Sequence, residues 1–249
     1  RHPWELARFE VVWDLFKQEF RNINFDAELH ILDLGCGDTW FAEQLSKKLP
    51  YAKIYAVDTA FSDVQIQHLN NKYQNSNIKV FRELDELNNL GISQIDLVLL
   101  LDVIEHIADD IAFMSWLKGF KFINKKTCSF ITVPAYESLF CKHDRFLEHY
   151  RRYTNSMLKE HLERAGWNTQ KKGYFFLSLL PIRVLEVLNE KLLKRKKEYV
   201  KGIGGWKADQ LKDKILVKVL VNDYSIGKYF RKLGLNLPGL SNFAVCRIV

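Results

Sequence analysis

Apolar positions along the chain fall into two rhythms. At Leu6, Phe9, Val12, Trp13, Phe16 and Phe20 the spacing is that of a helix with one apolar face, which predicts a helix over 4–20. Short apolar runs follow at 29–34, 53–57, 77–81, 95–101 and 128–133, each read as a strand. Helical patterns separate them at 40–49, 63–72 and 110–122. The run over 95–101 is almost continuously apolar, which places it centrally in a sheet. This alternation predicts an α/β fold on a doubly wound, mostly parallel sheet.

After Pro134 the rhythm changes. Residues 135–154 are polar, aromatic and rich in His and Arg. A helix is expected over 155–165, stopped by Gly166, and a strand over 173–177. From Leu179 to about Leu237 the pattern is helical and partly basic, with a basic run over 191–197 and a break at Gly202, Gly204 and Gly205. A last strand is expected over 241–249. The chain divides accordingly into an N-terminal helix (1–28), a core (29–178), a helical insertion or cap (179–240) and the last strand of the core sheet (241–249).

Composition narrows this only a little. Apolar residues are 47 % of the 249, enough for a core without metals or disulfides. Cys36, Cys128, Cys141 and Cys246 are scattered and lack zinc-site spacing, so a reducing cytoplasm is the expected location. No apolar run reaches the roughly 18 residues of a membrane span, and no secretory leader pattern is evident. The net charge of +7 allows an acidic partner without requiring one. Basic and aromatic residues interleave at 150–153 and 224–232, but nothing matches an RNA-binding module, so nucleic acid is set behind a small or lipid-linked molecule as partner. The apolar stretch 175–188 has two readings. It is an interfacial helix touching a membrane peripherally, or a cap over the site or a dimer face, in a chain that is a monomer or homodimer.

Chemistry concentrates at the first strand. Asp33-Leu-Gly35-Cys-Gly37 ends a strand and opens a helix, which is the ligand crevice of an open α/β sheet. Asp58 ends the second strand, 21 positions after Gly37, where an acidic residue reaches the hydroxyls of a ribose. Thr39 and Trp40 replace the third glycine of the dinucleotide fingerprint, and Asp33 would repel a pyrophosphate but attract an ammonium. S-adenosylmethionine (SAM) has a ribose, an ammonium and a sulfonium, and no phosphate.

With these motifs the sequence resembles the class I SAM-dependent methyltransferases, in particular the type 11/12-like subgroup. Residues 31–37 resemble their first motif, 56–58 the acidic end of their second strand, and 95–106 their fourth-strand motif in the variant ending Glu-His. The resemblance implies a Rossmann-like sheet of seven strands with a helical insertion before the last strand. It implies SAM as methyl donor, S-adenosyl-L-homocysteine as product, and no metal. Gly35 and Gly37 would meet the methionine part and Asp33 its amino group. Asp58 would take the ribose, Thr59 and Leu84 the adenine side, and Asp102 and Val103 the sulfonium end.

Methyl transfer needs a base only when the nucleophile carries a proton. The candidate bases are His106 first, then His149, His143 and Glu105, with Asp144 as an orienting carboxylate. The segment 142–154 resembles a stretch after the fifth strand in some of these methyltransferases and suggests a lid or substrate wall. Asp144, Arg152 and Tyr153 are its substrate-binding candidates, and Arg151 and Arg152 suit a phosphate or carboxylate. The expected activity is methylation of an oxygen, or a nitrogen, of a small or lipid-linked metabolite. The alternatives are an RNA methyltransferase and a SAM-fold scaffold without catalysis.

Overall fold

The computed structural model describes residues 1–24, 26–193 and 210–249. In chain order these form α1 (Pro3–Glu19), β1 (His30–Leu34), α2 (Trp40–Lys48), β2 (Lys53–Val57), α3 (Asp63–Lys72), β3 (Ile78–Phe81), β4 (Leu97–Leu101) and α4 (Asp110–Leu117). Then come β5 (Cys128–Pro134), α5 (Lys142–Phe146), α6 (Asn155–Arg164), β6 (Trp167–Phe175), α7 (Leu179–Leu193), α8 (Gln210–Lys232) and β7 (Ser241–Ile248).

The seven strands make one sheet in the order β3-β2-β1-β4-β5-β7-β6. All pairings from β3 to β5 are parallel, and β7 runs antiparallel to both β5 and β6. The chain winds outward from β1 to β3, then returns to place β4 on the other side of β1. That reversal opens a crevice at the carboxyl ends of β1 and β4, the ligand position of doubly wound sheets. Central strands are buried on both faces, so β4 reads Leu-Val-Leu-Leu-Leu without a polar position.

Both faces of the sheet are covered. Phe9, Val12 and Phe16 of α1 pack on one face with Phe41 and Leu45 of α2 and Leu220 and Tyr224 of α8. Met114 and Leu117 of α4 and Leu158 and Leu162 of α6 pack on the other. Helix starts follow local chemistry. The His2 ring accepts from the Trp4 amide while Glu5 returns to the His2 amide, with Pro3 opening the helix. Ser62 and Gln65 form the same reciprocal cap on α3.

Three expected elements differ. The helix from Asp110 stops at Leu117, because the chain turns at Gly119 and the Phe122 carbonyl accepts from the Ile95 amide instead. β6 starts at Trp167, not at 173. It is an edge strand with a register shift between Thr169 and Lys171, so its apolar alternation is broken. The long helical stretch is two helices, α7 and α8, lying between β6 and β7 in sequence. The basic run beyond Leu193 and the glycines at 202, 204 and 205 lie outside the described residues.

Within the aromatic and basic segment 224–232, Tyr229 is exposed but Tyr224 and Arg231 face inward. Tyr224 is buried and its hydroxyl donates to Asp14 at 2.8 Å, while Arg231 lies over the rings of Tyr224 and Phe243. No described helix is long and apolar enough to cross a membrane.

Candidate active site

The turn after β1 is drawn over the end of β2. The Gly35 and Cys36 amides both donate to the Val57 carbonyl, at 2.8 and 3.2 Å. Gly35 has φ +75°, and a Cβ there would stand 2.6 Å from Val103 Cγ2. The close approach that demands glycine at this position is therefore made by Val103 of the neighbouring strand end. Gly37 is different. It too is left-handed, at φ +57°, but the space beside its Cα is open. Its amide donates to Asp58 Oδ2 at 2.8 Å, and Asp58 Oδ1 accepts from the Ala60 amide at 2.9 Å. Thr59 is exposed on the same loop. Thr39, where a third glycine is common, adopts φ +65° and is buried, its hydroxyl bonded to that of Tyr73 at 2.7 Å.

Asp33 is 2 % exposed, and its Oδ2 has no hydrogen-bond partner. Burial pushes its pKa up to about 7; the Arg8 charge opposes this and the Asp58 charge adds to it. A buried carboxylate with a vacant oxygen is stabilised by a cation. This is the group an amino-acid ammonium needs, and with half-buried Asp58 nearby it fits the donor set of SAM. The Leu84 side chain faces the core, which leaves only its main chain for the adenine side. Leu84 is 2 % exposed and packs in the core with Leu34, Tyr55 and Val57, since the short 3-10 turn that begins there points its apolar side inward. Asp102 ends β4 at φ +59°, accepts from Thr132 Oγ1 at 2.9 Å and pairs with Arg8 Nη1 at 2.5 Å.

A cavity of about 720 Å³ opens at this edge of the sheet, between α1, the ends of β4 and β5, α5 and α7. Its polar residues include Arg8, Asp102, Glu105, His106, His149 and Arg183. Trp4, Leu147, Leu179, Ile182 and Leu240 give it apolar walls. A separate groove of about 610 Å³ runs from Gly37 and Asp58 along α3.

Segment 142–154 is organised by Asp144, which is fully buried. It accepts from the Cys141 amide at 2.9 Å, His149 Nδ1 at 3.0 Å and Arg152 Nε at 2.7 Å, with Arg183 Nη2 at 3.4 Å. The His149 and Cys141 hydrogen bonds and the Arg152 charge hold its pKa well below the carboxylate range, against the effect of burial. Asp144 thus binds protein cations and is not itself a wall of the cavity. Arg152 and His149 reach the cavity wall, and Asp144 orients them.

Two further expectations change. Tyr153 is completely buried, its hydroxyl donating to Asp110 Oδ2 at 2.8 Å, so it is a core residue and does not line the cavity. Arg151 donates to the carbonyls of Ile107 and Ala108 and pairs with Asp110, which pins the segment to the domain. The three histidines do come together. The His106 and His149 rings meet edge-to-face at 4.7 Å, and His143 lines the same cavity. Burial and the His149 charge lower the pKa of His106, and burial and Arg183 lower that of His143, so both rings favour the neutral form.

A family model described as a methyltransferase domain matches residues 7–172. The chain belongs to this methyltransferase family. Its fold is that of the class I SAM-dependent enzymes. Among curated proteins none matches the chain. Of solved structures, a candidate sarcosine dimethylglycine methyltransferase from Galdieria sulphuraria superposes with TM-score 0.56 at 14 % identity, covering 96 % of this chain and 84 % of that one. Coclaurine N-methyltransferase bound to N-methylheliamine and SAH gives 0.55 at 16 %, covering 96 % and 70 %. Haemonchus contortus phosphoethanolamine N-methyltransferase 2, in complex with phosphomonomethylethanolamine and S-adenosylhomocysteine, gives 0.52 at 15 %, covering 92 % and 51 %. At these identities the likeness is one of fold.

The cavity also has lining residues that the sequence pattern does not single out. Arg8 and Trp4 on α1 and Arg183 and Ile182 on α7 line the cavity. Arg8 lies on the polar side of an otherwise plain amphipathic helix, and no local pattern distinguishes it. Arg183 interrupts an apolar stretch; that interruption was its one visible signal.

Proposed function

We propose that this methyltransferase moves a methyl group from SAM to an oxygen, or alternatively a nitrogen, of a small or lipid-linked metabolite seated in the cavity beside Asp102. SAM supplies an electrophilic methyl group on a sulfonium. Asp33 would hold its ammonium, Asp58 its ribose hydroxyls, and the turn at Gly35–Gly37 its methionine part. The supporting observation is the cavity itself. About 720 Å³, with apolar walls and a polar floor of Asp102, Glu105, His106 and His149, suits a molecule with an apolar body and one nucleophilic end. At that floor the neutral His106 is placed to take the proton of a hydroxyl acceptor, and the Asp144–His149 pair orients its neighbour. Arg152 and Arg183 give the upper wall a positive character suited to a phosphate or carboxylate.

A lipid-linked acceptor has one specific observation in its favour. Ile182 lines the cavity and is 55 % exposed, and Leu185 and Leu188 extend the exposed apolar surface along α7. The product found in two structural neighbours of N-methyltransferase name keeps nitrogen as the alternative acceptor. The test uses SAM labelled in its methyl group, incubated with the protein and a cell extract, then partitioned between organic and aqueous phases. Label in the organic phase supports a lipid-linked acceptor, and label in an aqueous product resolved from SAM by chromatography a small polar one. Label remaining in SAM alone favours a non-catalytic SAM-binding protein.

A further inference from the structure

Glu105 is the least explained residue of the cavity. It is completely buried, and no other residue gives either carboxylate oxygen a hydrogen bond. Arg8 is already paired with Asp102, and Arg152 with Asp144. A buried carboxylate left this way is costly unless a cation joins it or it takes up a proton. Next to it stand His106 and His149. One ligand atom from each of the three lies within 4.8 Å of the other two. On one ion with bonds of roughly 2.1 Å at tetrahedral angles, ligand atoms stand about 3.4 Å apart, so moving each side-chain atom inward by up to about 1 Å closes the set.

One imidazole is also held in the way a metal-binding histidine is. His149 Nδ1 is bonded to Asp144 at 3.0 Å, which leaves Nε2 free. A carboxylate or carbonyl on the far nitrogen sets the tautomer and raises the basicity of the near one. The His149 and His106 rings meet edge-to-face at the cavity, as two ligands of one ion would.

We propose that Glu105, His106 and His149 bind one divalent transition-metal cation at the floor of the acceptor cavity, with Asp144 as the outer support of His149. Two imidazoles and one carboxylate select zinc, manganese or ferrous iron over magnesium or calcium, whose preferred ligands are all oxygen. Three protein ligands leave coordination positions open to the cavity. The proposal rests on the reading of this cavity as the acceptor site, and it changes the histidines' task there. With the ion in place they hold it. A hydroxyl bound to the ion loses its proton more readily, and that proton leaves to water past His143.

The test measures metal binding directly. The full chain, freed of any purification tag and stripped with a chelator, is titrated with cobalt, followed by visible absorption, and with zinc and magnesium, followed by calorimetry. The expected result is one equivalent of cobalt or zinc per chain and at least about 100-fold weaker binding of magnesium. Glu105→Gln and His149→Ala each lower zinc affinity by at least about tenfold, Asp144→Asn lowers it by about 10- to 100-fold as an outer support, and His143→Gln leaves it unchanged. Circular dichroism and SAM calorimetry on each variant report whether it is folded. No zinc or cobalt binding, or equal affinity in folded Glu105→Gln and wild type, overturns the metal site, and Glu105 is then a protonated acid. SAM binding without metal binding overturns this proposal alone. Metal binding without SAM binding overturns the cofactor reading and leaves the metal site standing.

Discussion

Replacing Gly35 with alanine separates two reasons for glycine at the end of β1. The residue sits at φ +75°, a conformation that costs a non-glycine residue about 1–3 kcal/mol. The new Cβ would also stand 2.6 Å from Val103 Cγ2, well inside contact distance. Forcing that methyl in costs about 1–3 kcal/mol more. Gly35→Ala is therefore expected to destabilise the fold by roughly 2–6 kcal/mol, a large share of the 5–15 kcal/mol typical of a protein. Val103→Ala removes both methyl carbons nearest to position 35. In that background Gly35→Ala should cost only the backbone part, so the two substitutions couple by about 1–3 kcal/mol. Urea unfolding of the wild type, both single variants and the double variant measures this. A coupling near zero would refute the claim that Val103, and not a ligand alone, enforces the glycine.

Other consequences concern buried charge. Asp144→Asn leaves the Arg152 and Arg183 guanidinium groups short of their shared carboxylate; a loss of about 3–5 kcal/mol in chemical unfolding is expected. Because the pKa of folded Asp144 is depressed, its contribution is present above the unfolded value of about 4 and is lost as pH falls below it, which acid titration of wild type against the variant would show. Tyr153→Phe removes a buried hydroxyl bonded to Asp110, so it should cost about 1–2 kcal/mol of stability while leaving SAM affinity within about twofold by calorimetry. Asp33 behaves in the opposite sense to Asp144. Its raised pKa favours the folded state below pH about 4, and that contribution is lost as pH rises through about 7. SAM needs the carboxylate, so its affinity should fall up to about tenfold per pH unit below 7, and Asp33→Asn should bind weakly with a flat profile.

The parts of the architecture that rest on local pattern were readable in the chain. β2 and α3 run over the expected residues, because a buried parallel strand and a reciprocally capped helix both leave local signals in the sequence. β6 was half missed, since this edge strand carries a register shift and buries only Trp167, Gly173 and Phe175, which breaks the alternation. Among the candidate site residues, the placement of Asp33 and Asp58 at the carboxyl ends of β1 and β2, by the Gly35–Gly37 turn, was legible in the sequence. The roles within 142–154 were not. Asp144, Arg152 and Tyr153 are neighbours in sequence with similar chemistry, yet one organises cations, one reaches the cavity and one is core. That sorting depends on partners far away, such as Arg183 on α7 and Asp110 on α4. The pairing of Arg8 with Asp102 joins residues 94 positions apart and has no local signature.

Calorimetric titration with SAM and with S-adenosyl-L-homocysteine, on the wild type and on Asp58→Ala, addresses the central claim most directly. The account predicts one site per chain for both ligands, and affinity at least about tenfold lower in the variant, which loses charged hydrogen bonds to the ribose. Absence of binding by either ligand, or equal affinity in wild type and Asp58→Ala, would contradict a SAM site built on the turn between Asp33 and Asp58.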